Sequence, residues 1–442
     1  MKKPQQVWLY LRSSFWFMPS LIVAISIVLA TAAINVDSAI ESEILARWPR
    51  LFGVGAEGAR QMLSTIASSM MTVVGVTFSM TLVTLALASS QYTSRVLGSF
   101  MRSRTTQVVL GVFAGIFTYC LIVLRTIRDN GETAFVPGLA VFLGVVLALA
   151  GVGVLILFIH HIATSIQASN IICSVAEETL AAIKRVFPQH ANDLSEEEEN
   201  RRMHLLIAAN HWEDICADAS GYVQTIDYDA LRDLAGKRGT IIKINYGIGD
   251  FVVKGMAVAS MVRRDLPEER IVREVRSFYS IGSRRTIEQD PDFGIRQIVD
   301  MAVKALSPGV NDTTTAVTCI NYLTSILCYL VSRSFPLQIH YDKEEPRLIS
   351  VQATFEALLG ASFDEIRRNA SRNTRVIVSM LDALQLIGTR TSVVPRKEAL
   401  SKQAKSIAEL ADRSVESPTD LATIRARLER LCVALDKKPA TS

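Results

Sequence analysis

The stretch from Thr133 to Ile159 reads TAFVPGLAVFLGVVLALAGVGVLILFI and contains no charged side chain. At about 1.5 Å rise per residue, a helix over this run is roughly 40 Å long, enough to cross a bilayer core of about 30 Å with tilt to spare. Gly144, Ala148 and Gly151 interrupt the Leu/Val wall at small-residue spacing, which suits close helix contact in lipid. The chain before this run is mostly apolar, and the chain after it is mixed and charged. The run therefore divides a membrane part from a soluble part.

Three further spans are predicted upstream. Phe15 to Val36 is an apolar run behind Lys2, Lys3 and Arg12. It starts as a signal peptide would, but it is long for one, and VDSAIESE follows in place of a small-residue cleavage site, so an uncleaved span is expected. Basic residues ahead of it and Asp37, Glu41 and Glu43 behind it put the N-terminus in the cytoplasm. Residues 37–61 then form an outer loop, in which Trp48 and Phe52 are candidate interface anchors. The second span runs from Met62 to Ala88 and is rich in hydroxyls. At 100° per residue Thr65, Ser68, Thr72 and Ser79 share one face, and Thr77, Thr81, Thr84 and Gln91 lie roughly opposite. The first face is a candidate pore lining, whereas two opposed stripes suit a helix packed on both sides. Arg95, Arg102 and Arg104 follow without an acid, which places that loop in the cytoplasm. The third span, Val108 to Leu124, carries Gly111 and Gly115 in a GxxxG pattern. Four spans with both termini in the cytoplasm satisfy every short-loop charge bias.

Composition narrows the class. Over 442 residues the chain is 49% hydrophobic, too polar for a protein that fills the membrane from end to end. The net charge of +4 gives a nucleic-acid partner little support. Cys120, Cys173, Cys216, Cys319, Cys328 and Cys432 form no CxxC pair, which fits reduced thiols and neither a disulfide framework nor a zinc site.

The expected organisation is a four-span domain over 1–162, a helical connector over 163–200, and a cytoplasmic α+β domain over 201–442. The connector keeps an apolar face through Ile166, Ile171, Val175, Leu180 and Ile183 and stops at Pro188, so it reads as a rod continuing the fourth span. Glu196 to Glu199 is a solvated run. From Asp218 the pattern turns to short alternating strands punctuated by glycine. The order strand, short helix, strand, Gly-x-Gly-Asp turn, strand, Gly turn, strand resembles the barrel-sandwich module of biotinyl and lipoyl domains, without the modified lysine at a hairpin tip. Further on, His340 to Pro346 reads as a polar loop and Leu348 to Thr354 as a strand. Phe363 to Leu386 and Arg396 to Leu435 read as amphipathic helices.

Residues 284–316 read RRTIEQDPDFGIRQIVDMAVKALSPGVNDTTTA. Asp290-Pro291 starts a helix, Pro308-Gly309 ends it, and Asn311 or Asp312 caps a second apolar helix through Val331 that is too short to span. Arg296 and Asp300, four apart, form a candidate pair. Arg284, Arg285 and Arg296, with Asn311, Asp312 and Thr313 at the capped start, form a candidate anion site. The competing account is a helix-turn-helix core fixed by a buried Arg296–Asp300 pair. The strings DPDFGIRQ and ALSPGVND, with SSQYTSR after the second span and the GDFV turn, resemble those of a family of bacterial predicted inner-membrane proteins of unknown function. The resemblance covers almost the whole chain and implies the architecture, with no activity to carry over.

No Ser–His–Asp order, paired-carboxylate signal, Walker loop or HExxH motif appears, so no enzyme, metal site or cofactor is expected. The sequence points to an inner-membrane protein, expected to be a homo-oligomer, whose cytoplasmic domain binds a partner or small anionic ligand and couples it to the spans. A channel or transporter lined by the second span is the alternative, and a membrane scaffold the third reading. The spans hold almost no charge, which argues against a proton-coupled pump.

Overall fold

The computed structural model describes residues 16–39, 55–91, 104–128, 135–165, 167–188, 196–262, 269–335, 338–342, 344–351 and 353–436. The chain forms two compact units, Met1–Gln167 and Ala168–Ser442.

The first unit contains α1 (Phe17–Ala39), α2 (Ala56–Gln91), α3 (Arg104–Thr126) and α4 (Gly138–Ser165). All four are long and apolar enough to cross a membrane. The fourth helix starts later than the apolar run because Pro137 stands ahead of it, with its carbonyl accepting from Val141 N. Phe113, Ile116, Tyr119, Cys120 and Val123 of α3 are buried, while Leu149, Val152, Ile156 and Leu157 of α4 are exposed. The glycines permit the close approaches. A Cβ on Gly111 would stand 2.7 Å from Ile22 Cδ1 and 3.0 Å from Pro19 Cα, and one on Gly115 2.5 Å from Ser26 Oγ. The GxxxG pattern therefore seats α1 on α3. Gly144 and Gly151 face Leu63 and Ile116 in the same way, with a Cβ on either 3.1 Å from its neighbour.

Polar groups in this unit are satisfied internally, as an apolar surrounding requires. Asp37, 7% exposed, accepts from Leu139 N at 3.0 Å and Ala140 N at 2.8 Å, capping α4 from the last turn of α1. Tyr119 Oη donates to Ala140 O at 2.8 Å, and Arg60 Nη2 to Ile127 O at 3.1 Å. The basic N-terminus, Trp48, Phe52, Arg95 and Arg102 lie outside the described residues, as do the side chains of Gln91 and Arg104.

The helix does not run on from α4 as a single rod. It is interrupted at Gln167, and α5 (Ala168–Val186) belongs to the second unit. The segment expected to be a connector is thus largely core: Ile171, Ile172, Val175 and Ile183 are buried. The acidic run 196–199 begins α6 (Glu196–Ala208). Next come β1 (Trp212–Cys216), β2 (Gly221–Ile226), α7 (Tyr228–Arg238), β3 (Ile242–Ile244), β4 (Phe251–Val252), β5 (Ala257–Val262), α8 (Glu269–Ser277) and β6 (Tyr279–Gly282). The signature helices are α9 (Pro291–Leu306) and α10 (Thr313–Leu330). The chain closes with β7 (Ile339–Asp342), β8 (Glu345–Ile349), α11 (Phe355–Asn369), α12 (Thr374–Gly388), α13 (Val394–Ser414) and α14 (Pro418–Asp436).

Two small sheets, ordered β1-β5-β3-β8-β7 and β4-β2-β6, share one apolar core that includes Ile215, Val223, Ile242, Val252, Ala259 and Leu348. The β module is not self-contained between 218 and 262: β1 precedes it, and β8 pairs parallel with β3 from about a hundred residues downstream. Lys254 lies in the turn between β4 and β5, but these strands belong to different sheets and make no hairpin. The polar loop expected over 340–346 is a β7–β8 hairpin with Glu344 at φ 69°. Each long C-terminal helix is two. Asn373 caps α12 behind Arg372 at φ 64°, and Pro418 opens α14. The break positions follow the usual start signals of Asn at the cap and Pro in the first turn.

Candidate functional site

The site grows from the start of α9. Pro291 occupies its first turn, where the missing N–H costs nothing, and Asp290 Oδ1 accepts from Phe293 N at 3.0 Å. Asp290 is 4% exposed. A carboxylate so enclosed needs a counter-charge, and Arg285 supplies it with two parallel bonds, Nε to Oδ2 and Nη2 to Oδ1, both 2.8 Å. Arg285 Nη2 also reaches Asp292 Oδ2 at 3.0 Å, and its guanidinium lies 5.1 Å from the Phe293 ring centroid. Burial raises the Asp290 pKa against the pull of Arg285. Burial works against the Arg285 charge too, but Asp290 and Asp292 outweigh it and raise that pKa.

The turn 247–250 closes over this pair. Gly249 has φ +90°, and a Cβ there would stand 2.5 Å from Asp290 Oδ2 and 2.6 Å from Arg285 Nη2. Gly249 is therefore required both by its backbone and by the close approach of the ion pair. Around it, Gly247 N donates to Asp250 Oδ2 at 2.8 Å and Gly249 N to Val223 O at 2.8 Å. The belt ahead of α9 is tied on both sides. Gln224 Nε2 donates to Arg284 O at 2.7 Å, Ile226 N to Gln289 Oε1 at 3.1 Å, and Arg185 Nη1 to Glu288 O at 3.2 Å. One turn into α9, Gly294 lies against Thr179 of α5. A side chain at 294 would collide with the Thr179 hydroxyl and stand 3.0 Å from its Cβ. Thr179 is fully buried, its hydroxyl bonded to Val175 O at 2.6 Å.

Arg296 does not form the pair expected with Asp300. Its Nε donates to Asp292 Oδ2 at 2.9 Å, one turn back. Helical side chains lean toward the helix N-terminus, and an acid preceding its base by four residues is the better orientation, especially in the first turn. Spacing alone does not choose between 292 and 300; side-chain direction does.

The six residues proposed for one anion site are divided between the two ends of α9. Sixteen residues of helix span about 24 Å. Arg284, exposed, Arg285 and Arg296 belong to the start. Asp312 is at the far end, where its N–H donates to Ala305 O at 2.8 Å. Its carboxylate is engaged in capping α10, accepting from Thr315 N at 3.0 Å and Thr315 Oγ1 at 2.6 Å, and those bonds, the hydroxyl first, lower its pKa. Asn311, at φ 47°, forms the turn ahead of the cap, and Thr313 Oγ1 accepts from Asn373 Nδ2 at 2.8 Å.

The stripe on α2 also has a definite place. Thr65, Ser68, Thr72 and Ser79 are exposed on the outer face of the four-helix unit. Thr65 and Thr72 donate back to Gln61 O and Ser68 O, at 2.7 and 3.0 Å. The opposite stripe packs inward through buried Thr77 and Thr84. Within one chain the proposed lining therefore encloses nothing.

A cavity of about 190 Å³ opens in the β region between Ala217, Asp218, Ala219, Val258, Arg276, Tyr279 and Ile281. Arg276 Nε donates to Cys216 O at 2.7 Å, which anchors the guanidinium at its wall. Among the described residues no group of three or more His, Cys, Asp or Glu side chains is arranged to hold a metal.

Gly294 and the Asp37 cap were not singled out in the sequence, and Gly249 was read only as part of a turn. Gly249 had a readable signal in its Gly-x-Gly-Asp turn, whereas Gly294 sits inside a regular helix and Asp37 is a hundred residues from its partners.

The comparisons with known proteins agree with this architecture. Residues 12–386 match a family described as predicted membrane proteins, DUF2254. Uncharacterised proteins of Mycobacterium bovis and Mycobacterium tuberculosis are 31% identical over 430 residues, covering 94% of this chain and 79% of theirs. No solved structure matches. With the family matched from the first span into α12 and the relatives aligned over nearly the whole chain, this protein belongs to the DUF2254 family of membrane proteins.

Proposed function

We propose that this is a bacterial inner-membrane protein, with both termini in the cytoplasm, in which the 168–442 unit takes up a partner or small anionic ligand and passes the resulting shift to the spans. The observation that carries this reading is the placement of α5. Its first residue is Ala168, four beyond Thr164 at the end of the fourth span, yet Thr179 and Arg185 are built into the signature region. From turn 247–250, through Asp290 and Gly294 to Thr179, the contacts leave no slack, so a displacement of the β region has a packed route to α5. For a small anion, the cavity beside Arg276 is a better place than the six residues at the two ends of α9, because Arg285, Arg296 and Asp312 are already engaged.

The test uses the full chain in nanodiscs. Melting is followed with phosphate, nucleotides and carboxylates, and hydrogen exchange is compared with and without whichever anion raises the melting temperature. The expected result is a shift absent from Arg276→Met, with protection changing both around the cavity and along α5 into α4. No shift with any anion removes the ligand reading. Protection confined to the cavity removes the coupling.

A second reading has its own support. Because Thr65, Ser68, Thr72 and Ser79 face outward, they would line a conduit only between several copies. Cross-linking from cysteines at these positions, with conductance in planar bilayers, tests it. A monomer in native-like lipid would rule it out.

A further inference from the structure

Two contacts fix how α5 runs against α9. Gly294 meets Thr179, and the Glu288 carbonyl, just ahead of α9, accepts from Arg185. As the number rises on one segment it falls on the other, so the helices are antiparallel. Carrying that register back at about 1.5 Å per residue places Ala305 level with Ala168. The neighbouring α10 runs parallel to α5, since Ser334 N donates to Pro188 O and Arg333 Nη1 to Phe187 O at their far ends. Its first turn therefore returns to the level of Ala168, and the Asn373–Thr313 bond brings turn 370–373 to the same end. The start of α5, turn 307–311 and turn 370–373 thus gather at one end of the unit. Ala168, at that end, is joined to Thr164 of the fourth apolar helix by four residues, and extended chain covers at most about 14 Å over that length.

The side chains there suit a headgroup layer. Pro308, Gly309, Val310 and Asn311 are exposed, Val310 by 53%, and a Cβ on Gly309 would meet nothing within 4 Å. Lys304, Arg368 and Arg375 are exposed and have no ion-pair partner among the described residues. Acids stand among them: Asp312 is turned into its cap, Glu416 pairs with Arg372 and Asp364 with Arg367, while Asp300 lies one turn before Lys304 and Glu365 is exposed.

We propose that this end of the unit is an interfacial surface seated on phospholipid headgroups, with Val310 entering the headgroup layer and Lys304, Arg368 and Arg375 binding lipid phosphate. An apolar tip flanked by long cationic side chains is favourable at that boundary, because the stems bury while the charges meet phosphate oxygens. The assignment is independent of any ligand in the β region.

The test places a fluorescent amino acid at position 310, and separately at the exposed Val253 in the β4–β5 turn as a control, in the full chain reconstituted into vesicles of phosphatidylglycerol and phosphatidylcholine. Quenching is measured with lipids carrying a nitroxide on the headgroup. Position 310 should be quenched and position 253 spared. Each of Lys304→Gln, Arg368→Gln and Arg375→Gln should weaken the seating by up to about fivefold in anionic vesicles, with less effect at high salt. Equal quenching at the two positions overturns the proposal. So does protection of position 310 from aqueous iodide without lipid quenching, which would mean that protein covers the turn. Unchanged quenching in the triple variant would remove the cations from the assignment.

Discussion

Asp37 and Asp290 perform one task in two surroundings. Each buries a carboxylate over the exposed N–H groups at the start of a helix, at 7% and 4% exposure. Asp37 accepts two backbone N–H bonds at α4 and, among the described residues, has no ion-pair partner. Asp290 accepts one at α9 and is held besides by both nitrogens of the Arg285 fork. In the four-helix unit the backbone itself is the counter-charge. In the 168–442 unit the carboxylate has been given a cation, and the cation in turn fixes Asp292, Phe293 and the turn at Gly249. The first arrangement satisfies a helix end, and the second organises a junction.

The sharpest way to break this contrast is to remove Asp290. Asp290→Ala takes the bidentate partner from Arg285, leaving it Asp292 alone, and uncaps α9, and should cost about 3–5 kcal/mol of stability in denaturant melts of the detergent-solubilised chain. If the pair serves only to balance itself, Arg285→Met with Asp290→Leu should recover much of that loss. If the junction needs the charges, the double variant stays as damaged as the single one.

Gly249→Ala probes the same junction from the other side. It puts a Cβ into the ion pair at a φ of +90°, and a loss of about 1–3 kcal/mol is expected by the same melts. A neutral result would mean that the turn moves freely away from Arg285. Asp37→Ala should cost less, about 1–2 kcal/mol, since only cap bonds are lost, and hydrogen exchange should rise first at Leu139 and Ala140. A loss as large as that of Asp290→Ala would erase the distinction between the two sites.

The smallest effect concerns protons. His340 stacks on Tyr228, with Nε2 3.1 Å from Ser350 Oγ, and burial first, then Arg232, lowers its pKa, Asp229 opposing. A histidine depressed below its ordinary value of about 6.5 favours the folded state while neutral. Its contribution is present above that pH and lost as pH falls through the folded value. Melting temperature should therefore decline on the acid side of neutrality, and His340→Gln should flatten that decline. An unchanged profile would place the titration elsewhere.

How much was legible follows from the range of each signal. The four spans, the Asp290-Pro291 start and the Asp312 cap are written in adjacent residues, and the structure has them there. The small residues on α3 and α4 were visible by spacing, although nothing in the spacing said that Gly111 faces Ile22. The continuous rod failed at Gln167, where an unbroken apolar face conceals a helix break. The single anion site failed because nearness in sequence across a helix-turn-helix was read as nearness in space, although the helix between holds the two groups about 24 Å apart. Asp37, Gly249 and Gly294 act on partners far along the chain, and no local pattern encodes that.

The parallel pairing of β3 with β8 bears on how the protein is made. Ile242 and Lys243 are synthesised well before Leu348 and Ile349, with α9 and α10 between them. At ribosomal rates of about 5–20 residues per second, the edge of β3 waits on the order of ten seconds for its neighbour. During that interval β3, paired on one side with β5, keeps its other edge open. β8 acts as the clasp of the sheet, and a polypeptide that stops short of Glu345 would leave the ribosome with that edge open.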